Sequence, residues 1–399
     1  MKYIVLVGDG MADYPINELG NKTPLEAAKI PNMNFIAKNG RVGLVHTIPE
    51  GFAPASDVAN LSIIGYDPVK YYSGRGPLEA ANMGIKLGPD DIAFRCNFVT
   101  IDRERMADYS AGHITSEEAA TLIKFLNEKL GSDKIKFYPG VSYRHLMIVK
   151  DGSLKEALRA TECAPPHDIT GMEIKDHLPK GDGAKFLIKI MEESRAILPD
   201  HEVNHVRIDL KENPADMIWL WGQGVGTNMP KFREKFGVDG SVISAVDLIK
   251  GIGKSIGLNV INVPGATGYY DTNYQGKAKY AIDSLKDGDF VFVHVEAPDE
   301  AGHNGDLRAK ITAIENFDRF IVGAVLEKFR KQKDFRIMVL PDHNTPISLR
   351  THTAEPVPFA VFGKGIEPNN AGAYSEAAAK ATGLAFGHGH ELMEYFMKN

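Results

Sequence analysis

The first apolar run of the chain, Tyr3 to Val7, is unbroken and closes on Gly-Asp-Gly. A short run with no alternation is the pattern of a strand buried on both faces, as in a parallel sheet covered by helices. The segment from Thr23 to Gly40 then opens with Thr-Pro, carries apolar residues at helical spacing and stops at glycine, which predicts a helix. The same order returns late in the chain. Residues 290–295 predict a strand, 306–332 a long amphipathic helix, and 335–340 and 357–363 two further buried strands. Strands alternating with helices predict an α/β fold, a mostly parallel sheet sandwiched by helices.

The middle of the chain changes character. Ser116 to Leu130 reads as a polar helix, and 162–183 is a loop rich in Pro, Gly, Asp and His. This predicts an inserted, smaller α/β domain over 79–212, acting as a lid, with the core built from 1–78 and 213–399. The run Met217 to Gly224 is expected near the return to the main sheet, and no internal repeat is visible.

Composition narrows the function classes. The net charge of -6 is modest and no run of five like charges occurs, so no nucleic-acid partner is expected. Cys96 and Cys163 lack a CxxC spacing, which points to a reducing compartment, with the cytoplasm as default. The N-terminal run is too short for a signal-peptide core and no later run is long enough for a membrane span, so no membrane association is expected.

The chemistry gathers where strands end. The first strand runs into Asp9, the strand at 290 into Asp299 and His303, and the strand at 335 into Asp342 and His343. In an open parallel sheet, ligands collect beyond the carboxyl ends of the strands, so distant positions can share one site. Asp299 and His303 are four apart, a spacing that turns both side chains to one point. His352, just before the last strand, can join the same edge, and Asp342 and His343 can share one metal or serve two. Carboxylates with imidazoles suit a borderline divalent ion, Zn or Mn. Each residue alone also has a plain structural reading, Asp9 as a turn former and Asp299 as a helix-start acid. The conjunction of acids and histidines at several strand ends favours metal binding. Ser56 follows Gly and Pro and precedes a helical pattern, so it is placed at a helix N-terminus, either as a cap or, beside metals, as a nucleophile.

These residues resemble the alkaline phosphatase superfamily, and within it the archaeal-type cofactor-independent phosphoglycerate mutases. The matching pieces include "GDGMAD", "PASDVANLSIIGYDP", "YYSGRGPLEA", "GATGYYDTNY", "VEAPDEAGHNGD" and "LPDHNTP". The resemblance implies two divalent ions (Mn, Zn or Mg), one held by Asp9, Ser56, Asp342 and His343 and the other by Asp299, His303 and His352. It implies transfer of phosphate from a small phosphorylated metabolite, phosphoglycerate, to Ser56 and back, with no bisphosphoglycerate. Arg75, Arg95, Arg144, His113 and Lys250 are candidates for the substrate's anionic groups. Ser110, His113 and Trp221 stand where such mutases carry extra arginines, and those segments look like a sister branch of proposed homoserine kinases. A homoserine kinase-like phosphotransferase, or a phosphomonoesterase of the same superfamily, is the alternative activity. A non-catalytic metal or nucleotide-binding module is the rival of another class, disfavoured by Ser56 at a helix start.

Overall fold

A computed structural model, describing residues 1–398, contains thirteen strands. In chain order these are β1 (Lys2–Gly8), β2 (Arg41–Val45), β3 (Ile92–Asp102), β4 (Arg105–Asp108), β5 (Ile135–Val141), β6 (Arg144–Val149) and β7 (Met217–Val225). They continue with β8 (Gly240–Ile243), β9 (Asn259–Val260), β10 (Phe290–Val295), β11 (Phe335–Leu340), β12 (Val357–Gly363) and β13 (Ala385–Phe386). The chain divides into two compact units, the first made of Met1–Tyr72 with the residues from Met229 onward and the second of Ser73–Asn228.

The first unit holds an eight-stranded sheet in the order β13-β2-β12-β11-β1-β10-β8-β9. Every neighbouring pair is parallel except the two made by β12, which runs antiparallel to β11 and β2. β1, β10 and β11 are therefore adjacent and point the same way, so Gly8, Val295 and Leu340 end at one edge. Reversal of β12 brings its start, Val357, to that same edge, along with the residues just before it. One face of β1 presents Ile4 and Leu6 to a cluster with Met33, Ile36, Ile314 and Phe317, all buried. Complete burial of such side chains is worth roughly 1.5–3 kcal/mol each.

Two helical expectations are modified. The segment from Thr23 forms two helices, Pro24–Ala27 and Pro31–Asn39, because Pro31 has no N–H with which to continue the first. The long helix near 306–332 is Leu307–Asn316, a π-helical turn Phe317–Val322, and Gly323–Phe329. Within the turn, the buried Asp318 carboxylate accepts hydrogen bonds from the amides of Asn32 (3.2 Å) and Met33 (2.7 Å).

The second unit is an antiparallel sheet, β4-β3-β6-β5 with β7 also paired to β3, packed with the helices Ser116–Lys129 and Ala184–Ile197. The run Met217 to Gly224 does not return to the main sheet. It is β7, paired with β3 so that Arg95 faces Trp221, because β3 is buried along nearly its whole length and needs neighbours on both sides. The unit also extends beyond 79–212. The helix Arg75–Asn82 belongs to it: a Cβ on Gly76 would lie 2.4 Å from the Ala93 carbonyl oxygen, and one on Gly74, whose φ is +127°, 2.0 Å from that of Gln223. No described helix is long and apolar enough to cross a membrane.

A half-buried carboxylate ties the N-terminal loops of the first unit together. Glu376 accepts hydrogen bonds from Thr23 Oγ1 (2.7 Å) and the Asp13 amide (3.1 Å), and burial pushes its carboxyl from the ordinary 4.5 up to about 7. Below 4.5 the proton is held in both folded and unfolded chains; between the two values only the folded chain keeps it. The stabilising contribution is therefore present at low pH and lost as pH rises through about 7. Glu376→Gln is expected to gain on the native protein, by roughly 2 °C or more in Tm, between about pH 5 and about pH 8. Paired thermal melts check this, and a constant gap would contradict it.

Candidate metal centre

Asp9 follows β1 in a turn that only glycine permits. Gly10 has φ +62°, and a Cβ there would stand 2.7 Å from Asp299 Oδ1 and 2.5 Å from Thr345 Oγ1. The close approach lets the Gly10 amide donate to Asp342 Oδ1 at 3.1 Å, stitching β1 to the end of β11.

Asp299 and His303 lie one turn apart on the helix Ala297–Asn304, whose first turn carries a proline. His303 Nε2 is 3.2 Å from Asp299 Oδ2, His352 Nε2 is 3.3 Å from Asp299 Oδ1, and the two Nε2 atoms are 2.8 Å apart. The opposite nitrogen of each ring faces a backbone carbonyl: His303 Nδ1 that of Arg350 (3.0 Å), His352 Nδ1 that of Pro54 (3.3 Å). Carbonyls only accept, so each Nδ1 carries hydrogen and each Nε2 is left to face Asp299, donating to the carboxylate when the ring is protonated and free to offer a lone pair to a metal when it is not. This is the orientation metal-bound histidines take.

Asp9, Asp342 and His343 form the adjoining group, all buried. His343 Nε2 lies 3.4 Å from Asp9 Oδ1, 3.6 Å from Asp342 Oδ2 and 3.1 Å from Ser56 Oγ. His343 also groups with Asp299 and His352, so one imidazole belongs to both sets. Ser56 opens the helix Ser56–Ile63 as its first residue and is not the cap; Ala55 takes that position.

The electrostatics fit a cation. Burial, then the charges of Asp342 and Asp299, push the Asp9 carboxyl well above its usual range. Burial also works to raise Asp299, yet hydrogen bonds from His303 and His352 hold it well below. Asp342 is likewise lowered against burial by His343 and His294. The Asp299 hydrogen bond lifts His303 to about 9. Asp9 Oδ1 and His294 Nε2 are among the buried polar atoms that have no well-formed hydrogen bond among the described residues. Crowded acids with an orphaned oxygen are what a divalent ion would relieve, and oxygen with imidazole donors suit Zn or Mn.

Three contributors escaped sequence reasoning. His294, within β10, places Nε2 3.2 Å from Asp9 Oδ2; its signal was a lone polar residue inside an apolar strand. Asn60 donates to Asp342 Oδ2 (2.7 Å) and to the Ser56 carbonyl (2.8 Å), and its signal was helical spacing of four from Ser56. Thr345 touches Asp299 and His343 and had no signal beyond proximity in sequence.

All the anion-contact candidates but Lys250 belong to the second unit. Within the second unit, the guanidinium carbons of Arg95 and Arg75 lie 4.4 and 5.4 Å from the Trp221 ring centre, and Arg95 Nε is 3.0 Å from Glu79 Oε1. Arg144 lies over Tyr143 at 5.5 Å, and His113 packs edge-on to Tyr143 at 6.0 Å. Burial lowers Arg95, Glu79 works the other way, and the charges of Arg75 and Arg144 lower it further. Lys250 is in the first unit, on the helix Asp247–Ser255, 3.7 Å from Asp247.

The class defined here is an α/β protein whose central parallel strands deliver two adjoining acid–histidine groups, suited to divalent metals, and a helix-start serine. The sequence model of the family described as 2,3-bisphosphoglycerate-independent phosphoglycerate mutase matches residues 37–204. The chain is 53% identical over 400 residues to the 2,3-bisphosphoglycerate-independent phosphoglycerate mutase of Methanosarcina barkeri, covering 100% of each. Among solved structures, a protein from Pyrococcus horikoshii matches at TM-score 0.83 and 30% identity, covering 99% of this chain and 96% of the other. The cofactor-independent phosphoglycerate mutase of Thermoplasma acidophilum matches at 0.68 and 27%, covering 100% and 99%. The chain belongs to the family of 2,3-bisphosphoglycerate-independent phosphoglycerate mutases.

Ligand binding to the folded state alone stabilises by about 2.7 kcal/mol at a hundredfold excess over Kd. Stripping the protein with a chelator is expected to lower Tm by several degrees, with Mn or Zn restoring it. His303→Ala is expected to lower the metal content per chain relative to native protein. Elemental analysis with thermal melts reads both, and a melt indifferent to chelator would count against a metal centre.

Proposed function

We propose that this chain interconverts 3-phosphoglycerate and 2-phosphoglycerate without bisphosphoglycerate, through a phosphate carried on Ser56. The observation that carries the reading is the Ser56 hydroxyl at the first turn of a helix, 3.1 Å from the histidine nitrogen shared by both ligand groups. Asp9, Ser56, Asp342 and His343 would hold one divalent ion and Asp299, His303 and His352 a second, with Mn, Zn or Mg as candidates. Such ions supply positive charge that favours the serine alkoxide and offsets charge on the phosphoryl oxygens.

The remaining work falls to the chain. The helix at Ser56 directs its first amides and its dipole at an incoming anion. Asn60, donating to both the Ser56 carbonyl and Asp342, holds the serine against the ligand group. In the first half-reaction Ser56 Oγ gives up its proton and bonds phosphorus, while the bond to the substrate oxygen breaks and that oxygen takes up a proton. The glycerate reorients. In the second half its neighbouring hydroxyl loses a proton and bonds phosphorus, and Ser56 recovers its hydroxyl, so atoms and charge balance over the cycle. The cluster of Arg75, Arg95 and Arg144 around Trp221 and Tyr143 offers planar donors of the kind that grip carboxylates, and we assign it to the substrate's remaining anionic group.

Ser56→Ala is expected to lose mutase turnover by at least about 10³-fold, the scale seen when a nucleophile is removed, with its metal content retained. Acid-quenched native enzyme should carry phosphate on the Ser56 peptide. Native turnover in the alanine variant, or phosphohomoserine from homoserine and ATP in place of mutase activity, would overturn the reading. Arg144→Met is expected to raise KM about tenfold or more, the worth of a charged hydrogen bond, and steady-state kinetics check it.

A further inference from the structure

Thr345 lies between the two ligand groups and is completely buried. Its Oγ1 is 2.5 Å from Asp299 Oδ1 and 3.2 Å from His343 Nδ1. A hydroxyl has one proton to give and lone pairs to offer. The Asp299 carboxylate only accepts, so the proton goes there. What remains for His343 is a lone pair, and the imidazole must meet it with hydrogen on Nδ1. That choice leaves the His343 Nε2 lone pair facing Asp9, Asp342 and Ser56.

The hydroxyl is held in place from several sides. Buried Lys310 donates through Nζ to the Thr345 carbonyl (2.8 Å), to Asp13 Oδ2 (2.7 Å) and to the Ala12 carbonyl (3.3 Å), joining the loop after β11 to the loop after β1. The Thr345 amide donates to the Ala12 carbonyl at 3.2 Å. Two motif glycines leave the room it occupies: a Cβ on Gly10 would reach 2.5 Å from Thr345 Oγ1, and one on Gly302 2.7 Å from Thr345 Cγ2. Space, a buried ammonium and a main-chain bond converge on one residue and so fix where its hydroxyl stands.

We propose that Thr345 is the positioning residue that couples the two metal positions, its single hydroxyl fixing Asp299 in one group and setting the tautomer of His343, which serves both. Partners that orient metal ligands typically matter about 10–100-fold in metal affinity. The inference rests on the metal reading of the site and not on the identity of the substrate.

Thr345→Val keeps the shape and removes the hydroxyl, while Thr345→Ser keeps the hydroxyl and removes the methyl. Chelator-stripped full-length proteins are titrated with Mn by calorimetry, without substrate, alongside thermal melts of the stripped forms. The valine variant is expected to melt like stripped native protein and to bind both ions at least about tenfold more weakly, with serine restoring affinity to within about threefold. Native affinity in the valine variant, or weakening of one ion alone, overturns the proposal. If valine prevents folding, serine decides: native affinity for both ions supports the role of the hydroxyl, and a tenfold or greater loss overturns it. Because the readout is metal binding, failure of the mutase assignment would leave this result unchanged.

Discussion

Asp9, Asp299 and Asp342 are 2%, 8% and 0% exposed at one sheet edge. Like charges withdrawn from water and set side by side repel, and each carries a desolvation cost of several kcal/mol. The neighbourhood divides the problem unequally. Asp299 receives two imidazoles and Asp342 is flanked by His343 and His294, while Asp9 keeps an oxygen without a partner. A site left short of positive charge in this way is suited to divalent cations, and neighbouring polar residues hold its acids and rings in place.

The supporting residues are polar groups placed where an apolar core would otherwise continue. His294 interrupts β10, Asn60 takes the inner face of the serine helix, and Thr345 with Lys310 spans the loops after β11 and β1. None presents a free surface; each fixes a carboxylate or a ring whose direction would otherwise be open to rotation. Orientation established before any ion or substrate arrives lowers the reorganisation needed when they do.

The second unit gathers one local group of positive charge. Arg75 and Arg95 share the Trp221 ring and Arg144 lies on Tyr143, so flat guanidinium groups rest on aromatic faces with Glu79 as a local counter-charge. Stacking spreads positive charge without neutralising it, which leaves these groups suited to planar anions. Trp221 contributes the aromatic platform that two of these guanidinium groups share.

Much of this was legible in the sequence. Unbroken apolar runs marked β1, β10 and β11, and the acids and histidines directly after them marked the site, because a strand must leave the core before it can present a charge. Spacing of four placed Asp299 and His303 on one helical turn. The fate of Met217 to Val225 was not legible: its apolar pattern reports burial, which either sheet would satisfy, and only pairing with β3 decided between them. Thr345 was equally hidden, an ordinary residue in its local context, while His294 and Asn60 left only faint marks, a lone polar residue in an apolar strand and a spacing of four from Ser56. What the sequence determined alone was the set of elements and the chemistry at their ends. The tertiary structure decided that β11, β1 and β10 are neighbours and that β12 runs backwards. Sheet order alone brings side chains some three hundred residues apart within hydrogen-bonding distance, as between Gly10 and Asp342.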